Sequence, residues 1–284
     1  MPQALAVAKY TLLELTRRRL VFVIVAIGVA LVAGLGIAPH VLPGDHTDQD
    51  RVIALLTGLQ GVVPTAMTLC AFAVGMTVMN HDLDSGAVVS IFAKPISRAS
   101  YTGGKLIAAT GLLLLISAIF TSGSLIVVAA NGGSVYGVVF WTCAALAANI
   151  VLLMLLVMIL TVYINNVVAA ALVLVFNYLA AQTQSLHAMV QHNVITDAIA
   201  RTLVNIAYWG VPHELISNLQ RQIMQMQLDT RELVVGATCD GHGSCYNPLD
   251  RVPGASGAVD IIFWAGYLVA LGLVLFWAVR RKQV

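Results

Sequence analysis

Six runs of this 284-residue chain (residues 20–38, 59–80, 105–130, 138–162, 167–186 and 261–279) are apolar. Each is close to the roughly 20 residues a helix needs to cross the hydrocarbon core of a bilayer. That pattern removes most folds from consideration. Hydrocarbon offers backbone N–H and C=O groups no partner, so each run must satisfy its own hydrogen bonds as a helix. Strands of a membrane barrel would be shorter and would alternate polar with apolar residues. The composition agrees, with 59% of residues hydrophobic and 10% charged, against roughly 25% charged in soluble domains. The expectation is an all-α polytopic membrane protein with six transmembrane helices. Only residues 163–166 separate the fourth and fifth runs, so a five-span count is the alternative.

The basic residues set an expected orientation. With the N-terminus inside, Lys9, Arg17, Arg18, Arg19, Lys94, Arg98, Lys105, Arg280, Arg281 and Lys282 all fall on the cytosolic side. Arg51, Arg201, Arg221, Arg231 and Arg251 fall outside, four of them spread through one long loop. Short flanks count heavily in this rule and long loops lightly, so both termini are expected in the cytosol of a bacterial inner membrane. The first run is long for a cleaved signal peptide and no small-residue cleavage site follows it, so a retained anchor is expected.

Four segments organise the chain. Residues 1–19 read as a helix with Leu5, Ala8, Leu12 and Leu15 on one face, which predicts an interfacial helix on the membrane surface, with a cytosolic extension of the first span as the alternative. Residues 20–186 hold five spans. Within them, residues 39–58 form an outer loop with Asp45, Asp48 and Asp50, which lacks the glycine and terminal glutamate of a calcium loop and reads as solvated, with no metal. Residues 187–260 form the one large polar segment, with helices expected at 193–208 and 213–228; in the second, Leu215, Leu219, Ile223 and Met226 recur at helical spacing. It is small for an independent domain, so it packs on the membrane core or offers a surface to an extracytoplasmic partner. Near its end, Cys239 and Cys245 flank a glycine-rich turn. A disulfide is favoured there over a soft-metal site that would add His242. Residues 261–284 are the sixth span and a basic tail.

The spans carry no Asp, Glu, Lys, Arg or His near their middles. Ion- and proton-coupled transporters keep such groups at membrane depth for function, so secondary transport and intramembrane hydrolysis are disfavoured. Thr65, Thr68, Asn149, Asn177 and Gln182 remain as polar groups for interhelix bonds or a substrate pathway. No G-x-x-x-x-G-K-[ST] run occurs, so the chain is expected to hydrolyse no nucleotide. Nothing in the sequence points to a nucleic acid partner.

Between the second and third runs lies a charged island, His81 to Lys105. Asp84 or Ser85 can cap a short helix from Gly86 to Ala93, with Pro95 ending it. Val88, Val89, Ile91 and Phe92 give it apolar knobs and Lys94 and Arg98 a basic rim. Such a peg suits docking into a groove, or tucking back under the bundle. Asp84-x-Gly86, then Phe92-Ala93-Lys94-Pro95-Ile96-Ser97-Arg98, then Tyr101 and Gly104-Lys105, resemble the cytosolic signature of ABC-2 type permeases, the membrane subunits of ATP-binding-cassette exporters. Ala87 stands where that family usually carries threonine, and Asp84 where it usually carries glutamate. Tyr208-Trp209-Gly210-Val211-Pro212 is similar to a Tyr-x-x-x-Pro stretch in one branch of the family. The resemblance implies an interfacial N-terminal helix and a coupling helix within residues 81–100 that inserts into a separate ATPase subunit. It further implies a pair of such ATPases, holding ATP and Mg, and a second permease copy or paralogue. The uncharged spans suggest an amphipathic or lipid-like cargo. A scaffold that works through residues 187–260 is the other reading.

Overall fold

A computed structural model describes residues 2–16, 19–41, 48–84, 97–132, 135–230, 238–239, 245–246 and 248–281. Nine helices account for most of them: α1 (Pro2–Thr16), α2 (Arg19–Val41), α3 (Asp48–Asp84), α4 (Arg98–Ala130), α5 (Tyr136–Tyr163), α6 (Asn166–Gln191), α7 (Ala198–Gly210), α8 (Leu219–Thr230) and α9 (Ala258–Arg281). A two-residue antiparallel ladder, β1 (Thr238–Cys239) with β2 (Cys245–Tyr246), and a 3₁₀ turn (Pro248–Arg251) lie between α8 and α9. Each of the six apolar runs falls inside a separate helix, and side-chain caps open α4, α6 and α7, while α5 starts after Val135 without one. The Ser97 hydroxyl accepts from the Ser100 N–H at 3.1 Å, Asn165 from Val167 at 3.0 Å and Asp197 from Ala200 at 2.8 Å.

Among the described residues five helices are long and apolar enough to cross a membrane: Gln49–Val78 within α3, then α4, α5, α6 and α9. Taken as one bent pair, α1 and α2 give a sixth candidate, their axes differing by 62°. This is the architecture of an integral membrane protein. Two bonds fix which helix ends lie together. The Arg98 guanidinium donates to the Arg280 carbonyl at 3.1 Å, joining the start of α4 to the end of α9. At the opposite end Asn131 donates to the Gly36 carbonyl at 3.3 Å, joining the end of α4 to that of α2. The end that carries α1 and the close of α9 is called here the terminal end, and the other the far end.

Helices α3 and α5 form the centre. Leu56, Met67, Cys70 and Ala71 of α3 and Met154 and Met158 of α5 are completely buried. More than half of the spanning stretch of each is covered, against 17% in α6 and 11% in α9, which lie at the periphery of the bundle. Lipid is as apolar as leucine, so close packing and interhelix hydrogen bonds hold such a bundle together.

Several expectations shift. The loop expected at 39–58 is mostly helix: α2 runs to Val41 and α3 starts at Asp48, placing Asp50 in its first turn, where a carboxylate offsets the helix dipole. Asp45 and His46 lie outside the described residues. On α1 the covered stripe is Ala8, Thr11 and Leu15, while Leu5 and Leu12 point outward. The reason is close approach. A Cβ on Gly104 of α4 would fall 2.6 Å from the Ala4 carbonyl oxygen and 2.7 Å from the Val7 Cβ, so α1 must present its small residues there. The helix expected from residue 213 instead begins at Leu219. Its Leu219 and Ile223 join the main core, so this part of the 187–260 segment packs on the bundle.

Gly104→Ala is expected to lower stability in detergent by about 1–3 kcal/mol, the usual cost of overpacking. Gly103→Ala, whose added Cβ would meet nothing closer than the Phe276 ring at 3.7 Å, is expected to be neutral or slightly stabilising. Thermal unfolding of both variants checks this; equal effects would contradict the close contact.

Candidate functional site

The polar chemistry gathers where residues 211–218 leave α7 and enter the bundle without forming a helix. Pro212 cannot continue one. Irregular backbone among membrane helices needs every polar group paired, and side chains from three elements supply the partners. Asn149 of α5 uses both halves of its amide on Leu215, donating to its carbonyl at 2.9 Å and accepting from its N–H at 2.9 Å. Gln184 of α6 donates to the Glu214 carbonyl at 2.7 Å. Just before α9, the Ser256 hydroxyl accepts from the Ile216 N–H at 2.8 Å and the Ser256 N–H donates to the Ile216 carbonyl at 3.0 Å. The hydroxyls of Ser217 and Thr142 of α5 are 2.6 Å apart.

This connector reaches deep. Asn149 stands near the middle of the 28-residue α5, and Asn177 near the middle of the 26-residue α6. At the rise of an α-helix, each is about 15–20 Å from the nearer end of its helix. The Glu214 side chain, hydrogen-bonded to Asn177, therefore sits at mid-height of the bundle. Burial pushes its carboxyl above the ordinary range, and the Asn177 amide offsets part of that rise. The spans carry no acid near their middles, but the connector delivers one between them.

Above Glu214 lies an aromatic stack that joins α6, α7 and the connector. The rings of His187 and Tyr208 are parallel with centroids 3.9 Å apart, and those of Tyr208 and His213 are 4.3 Å apart at 17°. Trp209 stands edge-on to Tyr208 and packs against Phe263 of α9 at 4.6 Å. The Tyr208 hydroxyl donates to Asp260 at 3.1 Å, and Tyr267 donates to the Trp209 carbonyl at 2.6 Å. Burial, then the neighbouring Asp260 charge, push the Tyr208 hydroxyl up, so it remains a donor. His213 is buried with both ring nitrogens lacking a hydrogen bond. Its Nε2 lies 3.6 Å from the same Asp260 oxygen, beyond hydrogen-bond length. Because the two imidazoles stack on opposite faces of Tyr208, they cannot converge on one metal ion. Among the described residues no group of three or more His, Cys, Asp or Glu could hold one.

The sequence-derived polar residues divide. Asn149 and Asn177 meet in this site. Thr68 is half-buried, and Thr65 is exposed with its hydroxyl bonded to Gly61 of its own helix. Gln182 faces out of the bundle; the buried amide is Gln184. Sequence reading missed Gln184, Glu214, His213 and Asp260 as a set. One signal was available: Glu214 is the only acid between Asp197 and Asp229, two residues after a proline that ends a helix.

At the terminal end, the signature residues that are described form a collar. Ser97 caps α4, and Arg98 reaches the Arg280 carbonyl. The buried Lys105 ammonium donates to the Val78 carbonyl of α3 and lies 5.0 Å from the Tyr101 ring centroid. Asp84 is the last residue of α3. Gly86, Val88, Val89, Ile91, Phe92, Lys94 and Pro95, with the helix expected from 86 to 93, lie outside the described residues. In the two-residue ladder, Cys239 and Cys245 are cross-strand partners; His242 lies outside the described residues. No protein-family model matches the chain, and no curated protein matches it.

A raised carboxyl binds its proton more tightly in the folded state, so its contribution to stability is full below the ordinary carboxylate pKa. That contribution is lost as pH rises through the raised folded value. The thermal stability of the wild type in detergent is therefore expected to fall more steeply above about pH 4.3 than that of Glu214→Gln, which keeps the neutral form's hydrogen bonds. Parallel pH profiles for the two proteins would contradict the placement of Glu214.

Proposed function

We propose that this chain is the permease subunit of an ATP-binding-cassette exporter, moving an amphipathic or lipid-like substrate and driven by a separate pair of ATPase subunits. In this reading six helices span the membrane, with α1 lying at its cytosolic surface and both termini in the cytosol. Export powered from the cytosol needs a rigid element that carries motion from the ATPase to the spans. The observation that carries the proposal is the collar at the terminal end. There α1 packs along the start of α4 through Gly104, and Lys105 ties α4 to α3. Tyr101, Gly104 and Lys105 are the tail of the signature that resembles ABC-2 type permeases, and its head, residues 84–98, is the sequence that joins α3 to α4.

Within that head, Val88, Val89, Ile91 and Phe92 would make the apolar contact with the ATPase. Asp84, Gly86, Lys94, Pro95 and Arg98 would fix the angle of the peg. The sparsely covered faces of α6 and α9 are where a second permease copy or paralogue would pair. A Cys239–Cys245 disulfide would pin the outer loop; alkylation of both cysteines without prior reduction would sink that part.

One observation favours the scaffold reading. Ile199, Leu203 and Ile206 form an exposed apolar stripe along α7, at a spacing suited to a partner protein. The two readings separate in one experiment, affinity purification of the tagged chain from its native membrane followed by an ATPase assay. The exporter reading expects a co-purifying ATPase whose turnover changes with substrate, and expects Phe92→Asp to abolish that coupling while the protein stays inserted. Unchanged ATPase association and turnover in Phe92→Asp would overturn it.

A further inference from the structure

The polar connector leaves an apolar cleft beside it. Between α5, the connector and the start of α9 lies a cavity of about 380 Å³, walled by Trp141, Ala144 and Ala145, by Leu215 and Ile216, and by Ile261. That volume falls within the roughly 300–1,000 Å³ of small-molecule sites. The nearby polar atoms are already engaged. Ser256 serves the Ile216 backbone, Ser217 pairs with Thr142, and the Asn218 side-chain oxygen Oδ1 accepts from the Ala255 N–H at 3.0 Å. Water entering such a cleft would find few partners, and ordered water needs two to four.

The position of the cleft identifies what fills it. Its α5 wall, residues 138–145, lies within about 15 Å of the far end of that helix, in one leaflet of the bilayer. Trp141 and Ile261 are more than half exposed at its mouth, and tryptophan at such a level marks the membrane–water boundary. The cleft therefore opens to lipid rather than to a water-filled funnel. At the rim, an Arg221 guanidinium nitrogen would lie 3.8 Å from a Cβ on Gly254, next to the lining residue Ala255. Arg221 has no ion-pair partner among the described residues.

We propose that this cleft binds one acyl chain of an anionic membrane lipid, with the lipid's phosphate held at Arg221. Binding is reversible and forms no covalent bond. The site depends on the bilayer placement of α5 and α9 and not on the ATPase reading, so it stands if the Phe92→Asp experiment fails.

The test uses the full chain in phosphatidylcholine nanodiscs doped with lipids bearing a photoactivatable acyl chain, on either a phosphatidylglycerol or a phosphatidylcholine headgroup. Cross-linked peptides are identified by mass spectrometry. Labelling is expected to concentrate on residues 138–145 and 255–261, with the anionic probe favoured about two- to fivefold, the range for a partly exposed ion pair. Ala145→Trp, which fills the cleft, is expected to remove most of this labelling. Arg221→Gln is expected to keep it while erasing the headgroup preference. If Ala145→Trp fails to run as a single species on size exclusion, Ala144→Leu serves as the smaller filler. Labelling spread evenly over the outer faces of α6 and α9 and unchanged by either filler would mean annular lipid only and overturn the site. Equal labelling by the two probes in the wild type would overturn the role of Arg221.

Discussion

The backbone N–H and C=O of Leu215 pair with the side-chain amide of Asn149 at mid-height of the bundle, and the far half of the molecule is arranged around that pairing. An irregular segment among apolar helices would otherwise strand its N–H and C=O groups, each at a cost of about 1–3 kcal/mol when buried unpaired. Asparagine offers a donor and an acceptor in the plane of its amide, matching the N–H and C=O that one extended residue presents on one side. With Gln184 on Glu214 and Ser256 on Ile216, three consecutive connector residues are held by α6, α5 and the lead-in to α9. The connector in turn brings Glu214 to Asn177, sets His213 on the Tyr208 ring, and walls one side of the acyl cleft.

The two ends of the bundle follow different physics. At the far end, polar side chains and stacked rings stitch loops to helices. At the terminal end the fit is steric and electrostatic: a missing side chain at Gly104 admits α1, and a buried ammonium at Lys105 fastens α4 to the backbone of α3. That combination gives the start of α4 rigid neighbours on two sides. A rigid base is what the proposed coupling helix would need if force applied to it is to move helices instead of bending a loop.

Much of the architecture was legible because apolar length is a strong signal. The polar flanks were not, since helices such as α3 continue past the hydrocarbon and residues 48–58 look like loop by hydropathy alone. On α1, Leu5, Ala8, Leu12 and Leu15 share a face by periodicity, yet a helix packed against glycine turns its small residues inward, a choice only its neighbour dictates. Leu215 through Met226 carries helical spacing, but tertiary bonds from Asn149 and Gln184 outweigh it for residues 213–218. Asn149 and Asn177 stood out as amides inside apolar runs. Their partner did not, because Glu214 lies far along the chain in a segment that reads as outer loop. Gln182 and Gln184 look alike in sequence; the helical phase of α6 decides which one is buried.

Amide hydrogen exchange of the full chain in nanodiscs, resolved to residues 211–218, tests the inserted connector most directly. The Leu215 amide is expected to be protected to a degree comparable with the middle of α5, and Asn149→Ala is expected to speed its exchange by about tenfold or more. Exchange of the wild-type connector at the rate of an open, solvated loop would contradict the account.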